Sequence, residues 1–352
     1  MNFKDSTYVN NFAINIFSKR NGNILKGIAI ILMYFHHLFA FPERIVEPNY
    51  FIAISNNIDF EYYIAIFGKI CVSMFLFLSG VGFSFSRERK LRYYLDKALG
   101  FYRAYIIVFL IFIPFGFLYF GNVNGVGFEI KTFFENLLMI ESSYNGEWWF
   151  SGVYFLCVIF TPFYIRIGCL KSIVLSFSFL NVYFLLHMLS FDIGVLLNNF
   201  LLWQVSFISG LFYYNVISYL KLNTIIFRLK KYSFVLIVIL LPLILISYLY
   251  LKVYALIFFT PVICLALCMA FNEMSNGVSF SLEWLGKKTL FMWLTHSFFC
   301  YYYFQSIVFA PKYSFLVFLN LILLTVPCCL VLEKLYEISM KLRVNKLYRQ
   351  TG

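Results

Sequence analysis

The chain has 352 residues, of which 62% are hydrophobic and 12% charged, and its mean hydropathy is +0.82. Soluble domains carry about 25% charged residues, so this composition excludes a soluble globule, a secreted disulfide scaffold and a disordered chain. It indicates a protein that crosses a membrane several times. The formal net charge of +12 would suggest a nucleic-acid partner in a soluble chain, so the positions of the charges decide what it means.

Ten apolar segments approach the roughly 20 residues that a helix needs to cross the hydrocarbon. They are residues 24–41, 66–86, 104–120, 148–165, 172–190, 194–218, 232–251, 253–271, 287–309 and 314–333. We therefore expect an all-α integral membrane protein of about ten transmembrane helices. The whole chain, 1–352, is predicted to be one domain, with an N-terminal segment 1–23, a bundle 24–333 and a basic tail 334–352. Two close pairs, 172–190 with 194–218 and 232–251 with 253–271, predict tight hairpins.

The basic residues orient these segments. With the N-terminus in the cytoplasm, 23 of the 28 Lys and Arg residues fall in cytoplasmic segments. The five on the other side are Arg44, Lys69, Lys131, Lys252 and Lys312. This split follows the positive-inside rule, so both termini are predicted to be cytoplasmic. It also explains the net charge without a nucleic-acid partner.

The eight cysteines indicate neither a metal site nor a disulfide framework. Seven lie in apolar runs, and Cys169 lies in a short basic loop. Cys264 and Cys268 are four residues apart, but no second pair of ligands follows them. We expect no bound metal.

The first apolar segment carries the strongest candidates for chemistry. It reads Lys26-Gly-Ile-Ala-Ile-Ile-Leu-Met-Tyr-Phe-His36-His37. Eleven residues of helix make three turns plus roughly 20°, so Lys26 and His37 share one face about 16 Å apart. Lys26 alone could snorkel to the interface, but a histidine pair inside an apolar helix is costly and is a functional candidate.

Two segments resemble signatures of the acyltransferase 3 family, membrane O-acyltransferases that mostly acetylate bacterial glycans. The basic residue, ten intervening residues and histidine of the first helix resemble one signature, with Lys26 where arginine is commoner. The second is Phe75-Leu-Phe-Leu-Ser79-Gly80-Val-Gly82-Phe83, which resembles the family's Ser-Gly-Phe motif and is followed by a basic segment. The ten-helix layout is similar too, so the resemblance covers essentially the whole chain.

The resemblance implies an acyl-CoA donor, most often acetyl-CoA, and an acceptor hydroxyl on a cell-surface polysaccharide or its lipid-linked precursor. It also implies a bacterial inner membrane. A neutral imidazole near its ordinary pKa suits a general base for a sugar hydroxyl. We assign this role to His37, with His36 as an orienting partner or, in a different helical register, as the base itself. A covalent acyl-histidine relay and direct transfer both remain open.

The phosphates of the nucleotide would bind basic side chains at the cytoplasmic mouth. The residues assigned to this cofactor site are Lys26, Ser79, Arg87, Arg89, Lys97 and Arg103. Each basic residue could instead be a positive-inside anchor, and Ser79 with Gly80 could serve helix packing.

Three further residues are assigned to the acceptor. Glu147 and Trp149 open the fourth segment, where a carboxylate could accept hydroxyl hydrogen bonds and an aromatic ring could stack on a sugar. An aromatic belt at the membrane interface would explain the tryptophan equally well. His296 is predicted about eight residues into the ninth helix, near mid-depth, as a supporting residue or a packing histidine.

Other membrane proteins of glycan assembly share this composition. A lipid-linked glycan flippase or a polysaccharide polymerase would also be aromatic-rich and basic. A polymerase should carry several arginines in a long outer loop, whereas the two long outer segments hold only Arg44 and Lys131. A transporter should show Gly/Pro-broken helices in matching halves, which this chain lacks. The alternative of a flippase or polymerase therefore ranks second.

Overall fold

The structure, a computed structural model, describes residues 15–350 except 47–48, 55–58, 87–89, 273 and 275. Most of this part is helical, and no β-strand forms in it beyond single bridges such as Ile52 with Tyr313. The helices are α1 Lys19–Phe39, α2 Asp59–Gly68, α3 Ile70–Ser84, α4 Leu91–Phe120, α5 Ile130–Leu137, α6 Trp149–Ile167, α7 Cys169–Met188, α8 Val195–Leu211, α9 Tyr213–Tyr219, α10 Asn223–Leu229, α11 Ser233–Leu251, α12 Val253–Phe271, α13 Gly277–Ser297, α14 Gln305–Phe309 and α15 Ser314–Gln350.

The helices confirm an all-α protein that crosses a membrane several times. Within the described residues, eight helical stretches are long and apolar enough to span the hydrocarbon, and α8 with α9, bent by 59°, makes a ninth. The ninth predicted segment, 287–309, corresponds to α13, which has 21 residues but is not among the helices apolar enough by composition. The count of ten therefore remains a prediction.

Both predicted hairpins form. Lys252 alone separates α11 from α12 and adopts a positive φ of 50°. Between α7 and α8, the Asp192 carboxylate accepts hydrogen bonds from the backbone of Gly194 and the side chain of Asn198, both at 2.8 Å. Each pair of helices then packs side by side.

Contacts between distant segments lie at two ends of the bundle. At the basic end, where α1 begins, the Arg20 guanidinium donates to the Met274 carbonyl at 2.8 Å. At the histidine end, where α1 finishes, Gln305 donates to the Arg44 carbonyl at 2.8 Å. Which end faces the cytoplasm remains a prediction from the basic residues.

The ninth segment differs from its predicted bounds of 287–309. The Asn276 side chain accepts from the Ser279 backbone and the Ser279 side chain accepts from the Asn276 backbone. This capping box starts α13 ten residues earlier than the hydropathy indicates. After Ser297 the chain continues as a π-helical turn, Phe298–Tyr302. His296 therefore lies near the end of α13, beside His37, and its depth in the membrane remains a prediction.

Glycines bring two helix pairs into backbone contact. A Cβ added at Gly27 of α1 would overlap the Leu282 carbonyl of α13. In the same way, a Cβ at Gly80 of α3 would overlap the backbone of Phe207 in α8. Close backbone approach through small residues is how membrane helices associate. The expectation that Gly80 serves helix packing is thus consistent with its position.

We expect Gly27→Ala to destabilise the bundle by about 1–3 kcal/mol, the usual cost of overpacking. The rigid α13 backbone must move away, because no flexible side chain there can yield. Gly22→Ala is the matched control, since it lies on the same helix with nothing within 4 Å of the added Cβ. Melting temperatures in detergent measure both variants, and equal melting of Gly27→Ala and wild type would contradict this packing.

Candidate active site

Two cavities lie along the inner face of α1. The histidine cavity has a volume of about 380 Å³ and is lined by His36, His37, Arg44, Lys69 and Glu147 among other residues. The lysine cavity has about 620 Å³ and is lined by Lys26, Ser79, Lys97 and Tyr336 among others. The structure thus places Lys26 and His37 in separate chambers, one toward each end of the same helix.

Hydrogen bonds fix the orientation of the His37 ring. The Tyr301 hydroxyl donates its proton to the His37 carbonyl, so its oxygen can only accept from His37 Nδ1, at 3.3 Å. Nδ1 therefore carries the proton, and Nε2 keeps its lone pair. His37 lines the cavity with a side chain that is 14% exposed.

Two more imidazoles surround His37. The His36 and His296 rings lie 5.1 and 4.7 Å from it, measured between centroids. His36 Nδ1 bonds to the Ala65 carbonyl at 2.8 Å, and His296 Nδ1 bonds to the Trp293 carbonyl at 2.6 Å. Because a carbonyl only accepts, both rings also carry the proton on Nδ1. His296 Nε2 is buried and has no hydrogen-bond partner among the described residues.

Of the carboxylates that the structure describes, Glu147 is the one that lines the histidine cavity. Its Oε1 accepts from the Arg44 guanidinium at 2.9 Å and lies 3.9 Å from His37 Nδ1. Its Oε2 accepts from the Tyr302 hydroxyl at 2.9 Å. Burial lowers the pKa of Arg44, but Glu147, Tyr301 and Tyr302 together raise it, so its net pKa lies above the ordinary value. Glu147 is held where it would stabilise a protonated His37.

Aromatic side chains form a wall of the same cavity. Trp149 packs on Trp203 of α8, with ring centroids 5.8 Å apart, and both line the cavity. The neighbouring Trp148 is buried and donates from Nε1 to the Leu294 carbonyl at 3.0 Å. Trp149 is therefore placed to contact a ligand, whereas Trp148 supports the packing of α13.

The predicted cofactor residues separate into three groups. Lys26, Lys97 and Ser79 line the lysine cavity together. Arg103 lies further along α4, where its guanidinium contacts Met340 Sδ at 2.8 Å, and it is not among the lining residues. Arg87 and Arg89 lie outside the described residues.

Three aromatic side chains separate the two cavities. Phe75, Phe150 and Trp293 line both of them. The Phe150 and Trp293 rings meet edge to face, with centroids 5.2 Å apart. We call these three residues the aromatic partition. A slender chain that passes it would connect Lys26 with His37 over the ~16 Å that eleven helical residues span.

Sequence reasoning missed several residues of this site. The missed residues are Arg44, Lys69, Phe75, Phe150, Trp203, Trp293, Tyr301 and Tyr302. Arg44 and Lys69 did carry a signal, because they are two of only five basic residues on the histidine side of the predicted topology. The phenylalanines and tyrosines carried none, since both residue types are abundant along the whole chain.

Comparison with known proteins gives one match. A family model described as an acyltransferase domain, of the acyltransferase 3 type, matches residues 22–334, which is nearly the whole chain. Neither the comparison with curated proteins nor that with solved structures found a match.

Proposed function

This chain belongs to the acyltransferase 3 family and is a multi-pass membrane acyltransferase, and from that premise we propose that it is an O-acetyltransferase of glycans. In this proposal the donor is acetyl-CoA, which binds from the cytoplasm. The acceptor is a hydroxyl of a cell-surface polysaccharide or its lipid-linked precursor, in a bacterial inner membrane. Family membership favours this function over a flippase or a polymerase.

The observation that carries the proposal is the pair of adjoining cavities along α1. The lysine cavity brings Lys26 and Lys97 together at the basic end, where ammonium groups suit the phosphates of a nucleotide. The histidine cavity presents an unprotonated imidazole nitrogen beside aromatic rings, where a sugar can stack. If the thioester lay at the aromatic partition, CoA would extend from it into the lysine cavity, and the acceptor hydroxyl would approach it from the histidine cavity.

The chemistry proposed for this arrangement is a direct transfer. His37 Nε2 removes the proton of the acceptor hydroxyl as its oxygen attacks the thioester carbonyl. Glu147 stabilises the imidazolium that forms. The carbon–sulfur bond then breaks, and the CoA thiolate accepts the proton from His37. The acetyl ester remains on the acceptor. The proton of the acceptor hydroxyl thus passes through His37 to the CoA thiol, and the step requires no metal.

The test of this proposal is acetyl transfer by purified protein in nanodiscs. The assay supplies acetyl-CoA labelled in the acetyl group and a glycan extract, and it counts base-labile label in the glycan fraction. We expect label that depends on the protein and is lost on mild alkali. If the protein neither binds acetyl-CoA nor transfers label with a competent glycan present, the proposal fails, and the flippase or polymerase becomes the leading hypothesis.

The aromatic partition gives a separate prediction. Trp293→Ala should join the two cavities and admit water to the thioester, because the indole separates them. We expect hydrolysis of acetyl-CoA without acceptor to rise about tenfold or more, with less label reaching the glycan. Trp284→Ala is the matched control, because Trp284 lies on the same helix and lines neither cavity. Unchanged hydrolysis in Trp293→Ala would show that the partition does not protect the donor.

A further inference from the structure

The side chains that line the histidine cavity carry an uncompensated positive charge. Its charged members, other than the histidines, are Arg44, Lys69 and Glu147. Arg44 and Glu147 form an ion pair. In the part of the chain that the structure describes, the Lys69 ammonium has neither a carboxylate at ion-pair distance nor a hydrogen-bond acceptor. Among the described residues, the cavity therefore holds one cation that no protein group neutralises.

Lys69 is held at this position by the backbone of the bundle. It is the residue between α2 and α3, and the preceding Gly68 packs so closely on α1 that an added Cβ would overlap the Leu32 carbonyl and press on His36. From Phe60, where this span begins, nine residues of helix cover about 14 Å. Lys69 thus lies at the level of His36, within a helical stretch that is apolar enough to span the membrane.

A cation at this depth requires a physical reason. Unpaired charge in a membrane is costly, and such residues usually face a water-filled cavity or a substrate. Lysine supplies a compact positive charge that binds carboxylate and phosphate oxygens as a point charge. The phosphates of an acyl-CoA would not reach it, because they belong to the lysine cavity on the other side of the aromatic partition.

We propose that the acceptor is an anionic glycan, whose charged group the Lys69 ammonium binds while its hydroxyl lies at His37. This inference rests on the proposed function and narrows its acceptor class. The anion is a carboxylate of an acidic sugar or a phosphate of a phosphorylated sugar or lipid-linked precursor, which share negatively charged oxygens. Arg44 does not compete with Lys69 for the anion, because its guanidinium already donates a hydrogen bond to the Glu147 carboxylate at 2.9 Å.

Binding of matched sugar probes tests this inference without requiring turnover. Trp149, Trp203 and Trp293 line the cavity, so intrinsic tryptophan fluorescence reports ligand binding. The probes are methyl glucoside, methyl glucuronoside and methyl glucoside 6-phosphate, which share one ring and differ in charge. They are titrated into wild type, Lys69→Gln, Lys69→Arg and the control Lys131→Gln, whose ammonium is exposed on α5 outside both cavities.

We expect wild type to bind at least one charged probe about tenfold or more tightly than the neutral glucoside, as for a hydrogen bond to a charged group. Lys69→Gln should lose that preference, while Lys69→Arg and Lys131→Gln keep it. Tighter binding of the glucuronoside indicates a carboxylate, and tighter binding of the 6-phosphate indicates a phosphate.

Two results would overturn this inference. The first is equal or undetectable binding of the three probes by wild type, and the second is an unchanged preference in Lys69→Gln. Neither bears on the proposed function, which is tested separately by acetyl-CoA binding and transfer. If the protein transfers acetyl groups but does not prefer the charged probes to the neutral glucoside, only the role of Lys69 is contradicted.

Discussion

His37→Gln should reduce the rate of acetyl transfer by about 10³-fold, within the range that a general base contributes. Glutamine retains side-chain volume and can hydrogen-bond to Tyr301, but it has no basic nitrogen where His37 presents Nε2. Acetyl-CoA binding should change less than twofold, because the donor residues line the other cavity. Initial rates with labelled acetyl-CoA and titration of its binding measure the two effects.

His187→Gln is the control for the loss of a histidine. His187 lies near the exposed end of α7 and lines neither cavity. The His187→Gln variant should therefore retain the wild-type rate of acetyl transfer. If His37→Gln folds, binds acetyl-CoA and transfers at a rate near that of wild type, His37 is not the base. Label found on His37 in the absence of acceptor would indicate a covalent acyl-histidine instead of direct transfer.

Glu147→Gln should lower kcat by on the order of 10² or more, as for carboxylates that support a catalytic histidine. Its carboxylate is 3.9 Å from His37 Nδ1 and would offset the positive charge that His37 gains. The neutral amide would keep the shape but lose that charge. Rates at saturating acceptor separate this effect from a change in acceptor KM.

The matched control for Glu147→Gln is Glu141→Gln, in the same loop and outside both cavities. We expect its kcat to equal that of wild type. Glu147→Asp should recover part of the lost rate, because it restores the charge at a greater distance. A rise in acceptor KM with unchanged kcat in Glu147→Gln would show that Glu147 only binds the acceptor, as the sequence analysis assigned it.

Local sequence patterns predict the helices and the face of α1 along which the site lies. Hydropathy locates the hairpin of α11 and α12 because both are continuously apolar. It misplaces the start of α13, whose first turns contain Ser279, Ser281 and Glu283, because a capping box rather than hydropathy sets that boundary. The shared face of Lys26 and His37 follows from helical periodicity alone, and both residues do line cavities along α1.

Contacts between distant segments explain what the sequence does not predict. Tyr301 and Tyr302 reach His37 and Glu147 only because a π-helical turn follows α13. The aromatic partition assembles side chains from α3, α6 and α13, and nothing distinguishes Phe75 from other phenylalanines in the chain. Lys69 was visible as a basic residue on the histidine side, but its place beside His36 depends on the close contact of Gly68 with α1.

A structure of the protein with S-acetonyl-CoA, a thioether analogue of the donor, tests the central claim most directly. We predict that electron cryo-microscopy will show the nucleotide at Lys26 and Lys97, the pantetheine arm between Phe75, Phe150 and Trp293, and the ketone beside His37. Binding of the nucleotide at the histidine end would contradict the proposal that one acyl-CoA molecule extends from the lysine cavity to His37. A pantetheine arm that does not pass between Phe75, Phe150 and Trp293 would contradict it too.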